Sequence, residues 1–406
     1  MQSKQIRFAV AASLLIGITA MTAVPVSALP VFARKYGFDC TMCHSNYPRL
    51  NDFGQRYRNN GYQLPGRENE DKTVLESPAP LALRTSAGIN YDKFKETSWE
   101  TDVKQFQVNG LDLLSGGLLT ENVGYLVVYP PHISQSRGVV GQDGTIEMAN
   151  IIISRILKSR WLNLRVGRFE PAYVAFSVKR SLTFSPYEVY DHTFVGGPPL
   201  SETQEGVELT GFGRCGLSYA AGAVNGSATN GLDTRTPDFY LRIAKIFGAG
   251  EGQTAGSRIG LMGYFGQALP DTSVAAAPLD ERETFLRFGV DASLNYRRFN
   301  LGLQYILERD GKEFWSTEDD LSFHGGFAEL SFLPTTRMVG FLRYDWVDTP
   351  EEINQDIARI TVGGRYYFPT NLAWHLEFSH RSVANAGENS EDSLEDFITA
   401  RVDFAF

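Results

Sequence analysis

Three residues near the start of the chain have the types and the spacing that attach a haem group. Cys40, Cys43 and His44 form the pattern C-x-x-C-H. In this pattern the two thiols form thioether bonds to the porphyrin vinyl groups, and the adjacent histidine becomes an axial ligand of the iron. Two intervening residues allow one tight turn to reach both vinyl groups. We therefore predict one covalent haem c, with His44 as its proximal ligand.

Two other interpretations of the same residues compete with haem attachment. A zinc site would need further cysteine or histidine ligands nearby, and residues 29–80 contain none beyond the motif. A thiol-disulfide redox pair of the thioredoxin type is expected within a β-α-β pattern, which the surrounding sequence does not show. Haem attachment is therefore the interpretation that we favour. Cys215 is left without a partner, and we predict no function for it.

The second axial ligand of the predicted haem is not supplied by the motif region. Residues 29–80 contain no second histidine, and their only methionine is Met42. Met42 lies between the two cysteines, so it cannot bend back to the opposite face of the iron. The sixth ligand must come from the rest of the chain, be another type of atom, or be absent.

Histidines in the rest of the chain supply the candidates for that ligand. His375 alternates with the apolar residues Trp374 and Leu376, so it should point towards a polar interior, beside Glu377. His375 is therefore our first candidate for the sixth ligand. The others are His192 and His132 on predicted loops, His324 in a segment of ambiguous alternation, and His380, which should face outwards.

The segment that follows the motif predicts one amphipathic helix. Leu50, Phe53 and Tyr57 fall on one helical face, Ser45 or Asn46 is placed to cap the helix, Pro48 suits its first turn, and Gly61 is placed to end it. A unit of about 50 residues cannot bury a large core without a staple, and a covalently held porphyrin provides one.

From about Leu81 onwards the sequence predicts an all-β fold, an antiparallel transmembrane β-barrel. Apolar and polar residues alternate over segments of the length of membrane-spanning strands. Ile360 and Val362, for example, alternate with Arg359 and Thr361. A soluble β-sandwich or propeller is the alternative. About 16 strands are predicted, at 81–92, 102–114, 119–130, 143–157, 161–170, 203–212, 215–225, 236–247, 257–268, 283–297, 299–309, 320–332, 336–347, 355–368, 371–382 and 393–406.

Three domains follow from these patterns and from the composition. Residues 1–28 read as a secretory signal peptide, residues 29–78 as the haem c-binding unit and residues 79–406 as the barrel. The mean hydropathy of −0.21 excludes a helical membrane protein. The net charge of −9 argues against a nucleic-acid partner, because no basic surplus is present to neutralise phosphates.

Two kinds of connection between predicted strands bear on function. The connection from strand five to strand six, 170–202, is rich in aromatic residues and includes His192. It either folds inwards to help hold the haem unit or forms an ordinary porin constriction loop. Three predicted outer loops are acidic, with Glu308, Glu351 and Glu388 among their residues. Carboxylates can concentrate divalent cations, but we favour the interpretation that these are merely solvated loops.

The residues around the motif resemble a known family. Phe32 to Gly37, the C-x-x-C-H motif, Tyr47-Pro48 with Leu50, and Gly61-Tyr62 look like the fused monohaem cytochrome-porins of the outer membrane, the iron-oxidising outer-membrane c-type cytochrome type. The resemblance covers about 35 positions. It implies that Cys40, Cys43 and His44 bind haem c. Independently of the resemblance, a haem on the periplasmic surface would lie too far from extracellular electrons, because the apolar band of a barrel is roughly 25 Å tall. We therefore expect the small haem unit, which precedes the first strand, to act as a plug in the barrel lumen, entering from the periplasmic side.

The function expected from motif, barrel and resemblance together is electron transfer. Single electrons would pass across the outer membrane, from extracellular ferrous iron to a periplasmic c-type cytochrome or similar carrier, in a lipid-embedded protein of a Gram-negative-type bacterium. The chain could thus act as a ferrous iron oxidase. Electron export to an extracellular acceptor is one alternative, and a diffusion porin with a haem plug or sensor unit is the other.

Overall fold

The computed structural model describes most of the chain after residue 30. The described residues are 31–38, 42–44, 48–68, 71–77, 79–96, 98–131, 144–192, 198–213, 215–226, 237–248, 256–268, 283–311, 321–350, 355–368, 371–385 and 392–405. The predicted signal peptide, Cys40 and His132 lie outside them. Within these ranges, no helix has the length and apolarity that crossing a membrane requires.

Sixteen antiparallel strands form a closed barrel, as the alternation predicted. Each strand pairs with its neighbours in sequence, and β1 pairs with β16 to close the ring. We call the end at which β1 begins and β16 ends the base of the barrel. The strands are β1 Leu81–Glu96, β2 Glu100–Thr120, β3 Val123–Tyr129, β4 Met148–Ile153, β5 Asn163–Phe169, β6 Gln204–Phe212, β7 Leu217–Val224, β8 Asp238–Phe247, β9 Ser257–Ala268, β10 Glu283–Tyr296, β11 Phe299–Gly311, β12 Leu321–Thr335, β13 Met338–Asp348, β14 Gln355–Tyr367, β15 Leu372–Asn385 and β16 Ser393–Ala405.

Several strands differ in length from the prediction, most clearly β1 to β4. β1 extends to Glu96 and β2 begins at Glu100, because the two pair almost to the tip of a hairpin in which the Glu96 amide donates to the Trp99 carbonyl. β2 also continues past 114 to Thr120, where it pairs with β3, so β3 begins at Val123 and not at 119. β4 is shorter than 143–157, because Arg155 has a left-handed backbone, with a φ of 58°, and its carbonyl accepts from the Lys158 amide in a turn.

The two faces of the wall have opposite character. On β10, Phe288 is 47% exposed and points outwards, whereas Arg287 is 1% exposed and points into the lumen. β14 repeats the pattern, with Ile360 outside and Thr361 inside. Buried polar residues line the interior and apolar residues cover the exterior, which is the arrangement of a barrel with lipid outside and a polar lumen. The predicted faces of these strands are therefore confirmed.

Two short helices precede the barrel, α1 (Val31–Tyr36) and α2 (Asp52–Asn59). The prediction that Ser45 or Asn46 caps the second helix, with Pro48 in its first turn, is wrong. The cap is Asn51, whose side-chain oxygen accepts from the Gly54 amide at 2.9 Å. The helix starts late because the Asn51 backbone and side chain also bind the motif, through the carbonyls of Cys43 and Met42. It ends just before Gly61, as predicted.

The N-terminal unit, residues 31–77 as far as they are described, lies inside the base of the barrel. Gln63 donates to Ser154 at 2.9 Å on one side of the lumen. Arg49 reaches Glu329 at 2.5 Å on another side. Tyr57 and Tyr62 pack against inward-facing residues of β3 and β4. The unit therefore contacts the wall in several directions, which is the position predicted for a plug.

Gly124 on β3 lies against the backbone of Gly61 in the N-terminal unit. A Cβ atom at Gly124 would lie 2.3 Å from the Gly61 carbonyl oxygen and 2.9 Å from its carbon. We expect Gly124→Ala to displace the N-terminal unit while the barrel still closes, because the clash is with backbone. Limited proteolysis of the folded variant should cleave residues 31–77 at least about tenfold faster, a change of about 1.4 kcal/mol in the opening equilibrium.

Gly263 on β9 provides the matched control for that experiment. It is also a strand glycine, but a Cβ atom there meets no atom within 4 Å. Gly263→Ala should leave the cleavage rate of the N-terminal unit at the wild-type value. Equal rates for wild type and Gly124→Ala would show that the contact with Gly61 does not hold the unit in place.

Candidate functional site

A cavity lies between the N-terminal unit and the base of the barrel wall. Its volume is about 210 Å³, and its mouth is open. Its walls are mainly apolar. The N-terminal unit contributes Phe32 and Tyr57, and the strands β2 to β4 contribute Leu114, Leu126, Val128 and Met148.

The motif residues Cys43 and His44 both line this cavity. The Nδ1 atom of His44 lies 3.2 Å from the backbone carbonyl oxygen of Arg49. Because a carbonyl can only accept, Nδ1 carries the proton and donates it. A histidine held in this way presents Nε2 as the ligand atom for a metal. Two of the three motif residues that the sequence predicted as a haem site therefore line one cavity. Cys40 lies outside the described residues.

The environment of His44 favours a neutral imidazole. Burial lowers the pKa of His44 to about 4, an effect that the Arg49 carbonyl opposes and the charge of Arg180 strengthens. Neutral imidazole is the form that binds metal ions. The side chain is therefore in its ligating form at any pH above about 4.

A glycine on α2 lets the motif backbone approach the helix. A Cβ atom at Gly54 would lie 2.4 Å from the Cys43 carbonyl oxygen. That carbonyl also accepts from the Asn51 amide at 2.8 Å. Cys43 is therefore fixed by the first turn of α2, which holds it where the cavity begins.

Four cationic side chains also border the cavity, and the sequence analysis did not single them out. Arg84 of β1 pairs with Asp112 at 2.5 Å, and Lys179 pairs with Glu147 at 2.8 Å. Arg58 and Arg180 share a single carboxylate, that of Glu170. The four cations thus face three carboxylates, which leaves one positive charge in excess beside an apolar cavity.

Glu170 connects the N-terminal unit to the inserted loop, which we define as residues 170–203. Its carboxylate binds Arg58 of α2 at 3.7 Å and also binds Arg180 of the loop. The Ser177 hydroxyl donates to it at 2.6 Å. Burial alone would raise the pKa of Glu170, but Arg180, Arg58 and Ser177 outweigh it and lower the pKa to about 2.

Glu170→Gln is expected to lower the stability of the protein by about 3 kcal/mol at neutral pH, as follows from the shift of the pKa from 4.5 to about 2. Because the folded-state pKa is lowered, the stabilisation is complete above pH 4.5 and is lost as the pH falls towards 2. Thermal unfolding of both proteins between pH 7 and pH 2 should show a difference that shrinks across this range.

The control for this titration is Glu205→Gln. Glu205 faces Arg168 at 3.5 Å, and its side chain is 57% exposed, so the pair should contribute less than about 1 kcal/mol. A difference between wild type and Glu170→Gln that does not change with pH would contradict the assignment of the stabilisation to the ionised carboxylate.

The inserted loop fills the lumen above the N-terminal unit. It contains the short helix α3 (Glu188–Asp191). Tyr187 donates to Glu329 at 3.1 Å, and Tyr190 donates to Gln304 at 2.8 Å. Tyr187 also accepts from Arg49 at 2.9 Å. The loop therefore both narrows the lumen and contacts the N-terminal unit, so the two roles that the sequence left open occur together.

The candidate histidines that the structure describes do not line the cavity of Cys43 and His44. His375 is fully buried in the lumen beside Glu377, as predicted, and its Nε2 lies 3.0 Å from that carboxylate. His192 follows α3 and is partly buried. His132 is not among the described residues. The outer pair are His324, bound to Asp348, and His380, bound to Asp396.

The structure also bears on the predicted acidic outer loops and on Cys215. Glu308 is not part of an acidic outer loop, because it lies on β11 and is buried against Arg287 at 2.5 Å. A strongly charged residue at the end of a strand resembles a loop residue in sequence, and only the partner across the lumen distinguishes the two. Segments 351–354 and 386–391 lie outside the described residues. Cys215 is exposed in the turn between β6 and β7.

Comparison with known proteins supports the fold. No protein-family model and no curated protein sequence matches the chain. Solved structures do match. An anion-selective porin from Comamonas acidovorans has a TM-score of 0.57 and 11% identity, over 80% of this chain and 99% of that one. The outer-membrane channel DcaP of Acinetobacter baumannii gives 0.57 and 11%, over 81% and 99%. Salmonella typhi OmpF in complex with daunomycin gives 0.54 and 11%, over 79% and 97%. The chain therefore has the porin fold.

Proposed function

We propose that this protein is an outer-membrane c-type cytochrome-porin, which carries single electrons from extracellular ferrous iron to a periplasmic cytochrome. The observation that carries the proposal is the placement of Cys43 and His44. Both of these motif residues line a mainly apolar cavity between the N-terminal unit and the barrel wall. A structural disulfide or a surface metal site would need no such cavity.

The residues around the cavity fit a haem c. Cys43, together with Cys40, would form the thioether bonds, and His44 would supply the proximal ligand. The apolar walls suit the porphyrin faces, and the cations Arg84, Lys179 and Arg180 suit its two carboxylates. When bound, a haem c supplies one redox centre that exchanges single electrons, with a potential set by axial ligands and burial.

The residues of the chain also prepare the site for such a group. The Arg49 carbonyl fixes the tautomer and the orientation of the His44 ring. Arg49 is itself held by Glu329 and Tyr187, from the wall and from the inserted loop. The position of the imidazole is therefore set by the wall and the loop as well as by the motif.

The porin fold supports a position of this site near one surface of the outer membrane. The N-terminal unit lies at the base, where β1 begins and β16 ends. In barrels of this class, short turns face the periplasm and long loops face outwards. Here the connections at the base are short, such as 297–298 and 336–337. We therefore place the base on the periplasmic side, where a soluble cytochrome can approach the cavity.

A visible spectrum of the purified protein in detergent tests the proposal. We expect the bands of an oxidised c-type haem, and prompt appearance of the reduced α-band on anaerobic titration with ferrous iron. Reduction by dithionite alone would instead favour electron export to an extracellular acceptor. A protein without haem would overturn the assignment, and it would leave a diffusion porin, the function that the fold alone supports.

A further inference from the structure

Met148 lines the same cavity as His44, but it belongs to the barrel wall and not to the N-terminal unit. His44 belongs to the N-terminal unit, whereas Met148 is the first residue of β4 in the barrel wall. Met148 faces inwards, is 5% exposed and pairs with Val128 in the sheet register. It packs in one cluster with Tyr57 and Tyr62 of the N-terminal unit. The thioether therefore lies within the apolar part of the cavity.

Among the described residues, the other histidines and methionines do not line this cavity. Met42 and Met338 are exposed, and Met262 belongs to a separate buried cluster further along the lumen. His375 is held by Glu377, as described above. Thioether sulfur and imidazole nitrogen are the ligands that occur opposite a proximal histidine in cytochromes c and related proteins. Met148 is then the one candidate of these types within the described part of the cavity.

The other polar side chains in the cavity are poor ligands. The Tyr36 phenol donates to Asp71 at 2.6 Å, and the Tyr57 phenol lies 3.5 Å from that of Tyr36. Burial raises the pKa of both phenols, so neither provides the phenolate that would bind iron. The Lys179 ammonium is paired with Glu147.

We propose that the Met148 sulfur is the sixth ligand of the haem iron, an inference that rests on the haem assignment proposed above. The iron would then be held between the N-terminal unit and the barrel wall, by His44 and Met148. Methionine opposite histidine raises the reduction potential of a haem. A raised potential suits the acceptance of electrons from ferrous iron, and it opposes the export direction.

The far-red absorption band, the reduction potential and the affinity for imidazole test this inference, each measured on the wild type and on two variants. The oxidised protein should show the weak far-red absorption band of a sulfur-to-iron bond. Met148→Leu should lose this band, lower the reduction potential and bind added imidazole at least about tenfold more tightly. The replacement nearly conserves volume, so we expect it to cost less than about 1.5 kcal/mol of stability.

Met262→Leu is the matched control, because Met262 is also a buried methionine on a barrel strand. It should leave the band, the potential and the imidazole affinity unchanged. A wild-type protein without the far-red band, or a Met148→Leu variant with wild-type band and potential, would overturn the inference. Either result in a protein that still carries covalent haem leaves the haem assignment intact. Absence of haem from the wild type would instead overturn the proposed function itself.

Discussion

Replacing both Cys40 and Cys43 with alanine should abolish covalent haem and, with it, all reduction by ferrous iron. The two thiols are the atoms that would form the thioether bonds, and Cys43 lines the cavity. The barrel should still form, because its wall is held by the strand ladders from β1 to β16. Haem staining after denaturing electrophoresis measures the attachment, and the mobility difference between unheated and heated samples measures the barrel.

Cys215→Ala is the control for the cysteine variant. Because Cys215 is exposed in a turn away from the cavity, this variant should retain full haem content and iron reactivity. Wild-type haem staining in the double variant would contradict the attachment at Cys40 and Cys43. Loss of the barrel as well as the haem would show that the N-terminal unit is needed for folding of the wall.

The second large effect concerns ion flow through the lumen. A 16-stranded barrel normally leaves an aqueous channel, but here two layers occupy it, the N-terminal unit and the inserted loop. We expect the intact protein to be nearly non-conducting in planar bilayers. Conductance of the size of an open porin should appear when residues 29–78 are removed and residues 172–201 are replaced by a short Gly-Ser link. Such a link suffices because Phe169 and Gln204 are already paired neighbours.

Shortening the connection 269–282 between β9 and β10 provides the control, since it alters a loop without removing the N-terminal unit or the inserted loop. That variant should conduct as little as the wild type. An intact protein that conducts like an open porin would contradict the filled lumen and would favour the diffusion-porin alternative over a conduit for electrons.

Local sequence patterns predicted the wall well, for a physical reason. Side chains alternate across a strand, so the outward position of Phe288 and the inward position of Arg287 can be read from neighbouring residues. The C-x-x-C-H pattern is likewise local, since it spans five residues. The late start of α2 could not be read in this way, because Asn51 is selected as the cap by its contacts with Cys43 and Met42.

The cavity itself could not be predicted from the sequence. Arg84, Lys179 and Met148 come from β1, the inserted loop and β4, and they meet only because the strands close into a ring. The sequence analysis favoured histidines as the sixth ligand, but three of the described candidates bind carboxylates: His375 binds Glu377, His324 binds Asp348 and His380 binds Asp396. Met148 carried no local signal beyond its place in an apolar strand, since a buried methionine is most often a core residue.

Glu170 connects the N-terminal unit to the inserted loop, so we expect the two segments to open together. Glu170 binds Arg58 of the N-terminal unit and Arg180 of the inserted loop, and Arg49 adds a second link through Tyr187. A local fluctuation that frees either layer therefore breaks the ion pair between Arg58 and Glu170, and so removes a charge contact of the other layer. Amide hydrogens of α2 and of the inserted loop should accordingly exchange with solvent as one cooperative unit, at a free energy distinct from that of the barrel strands.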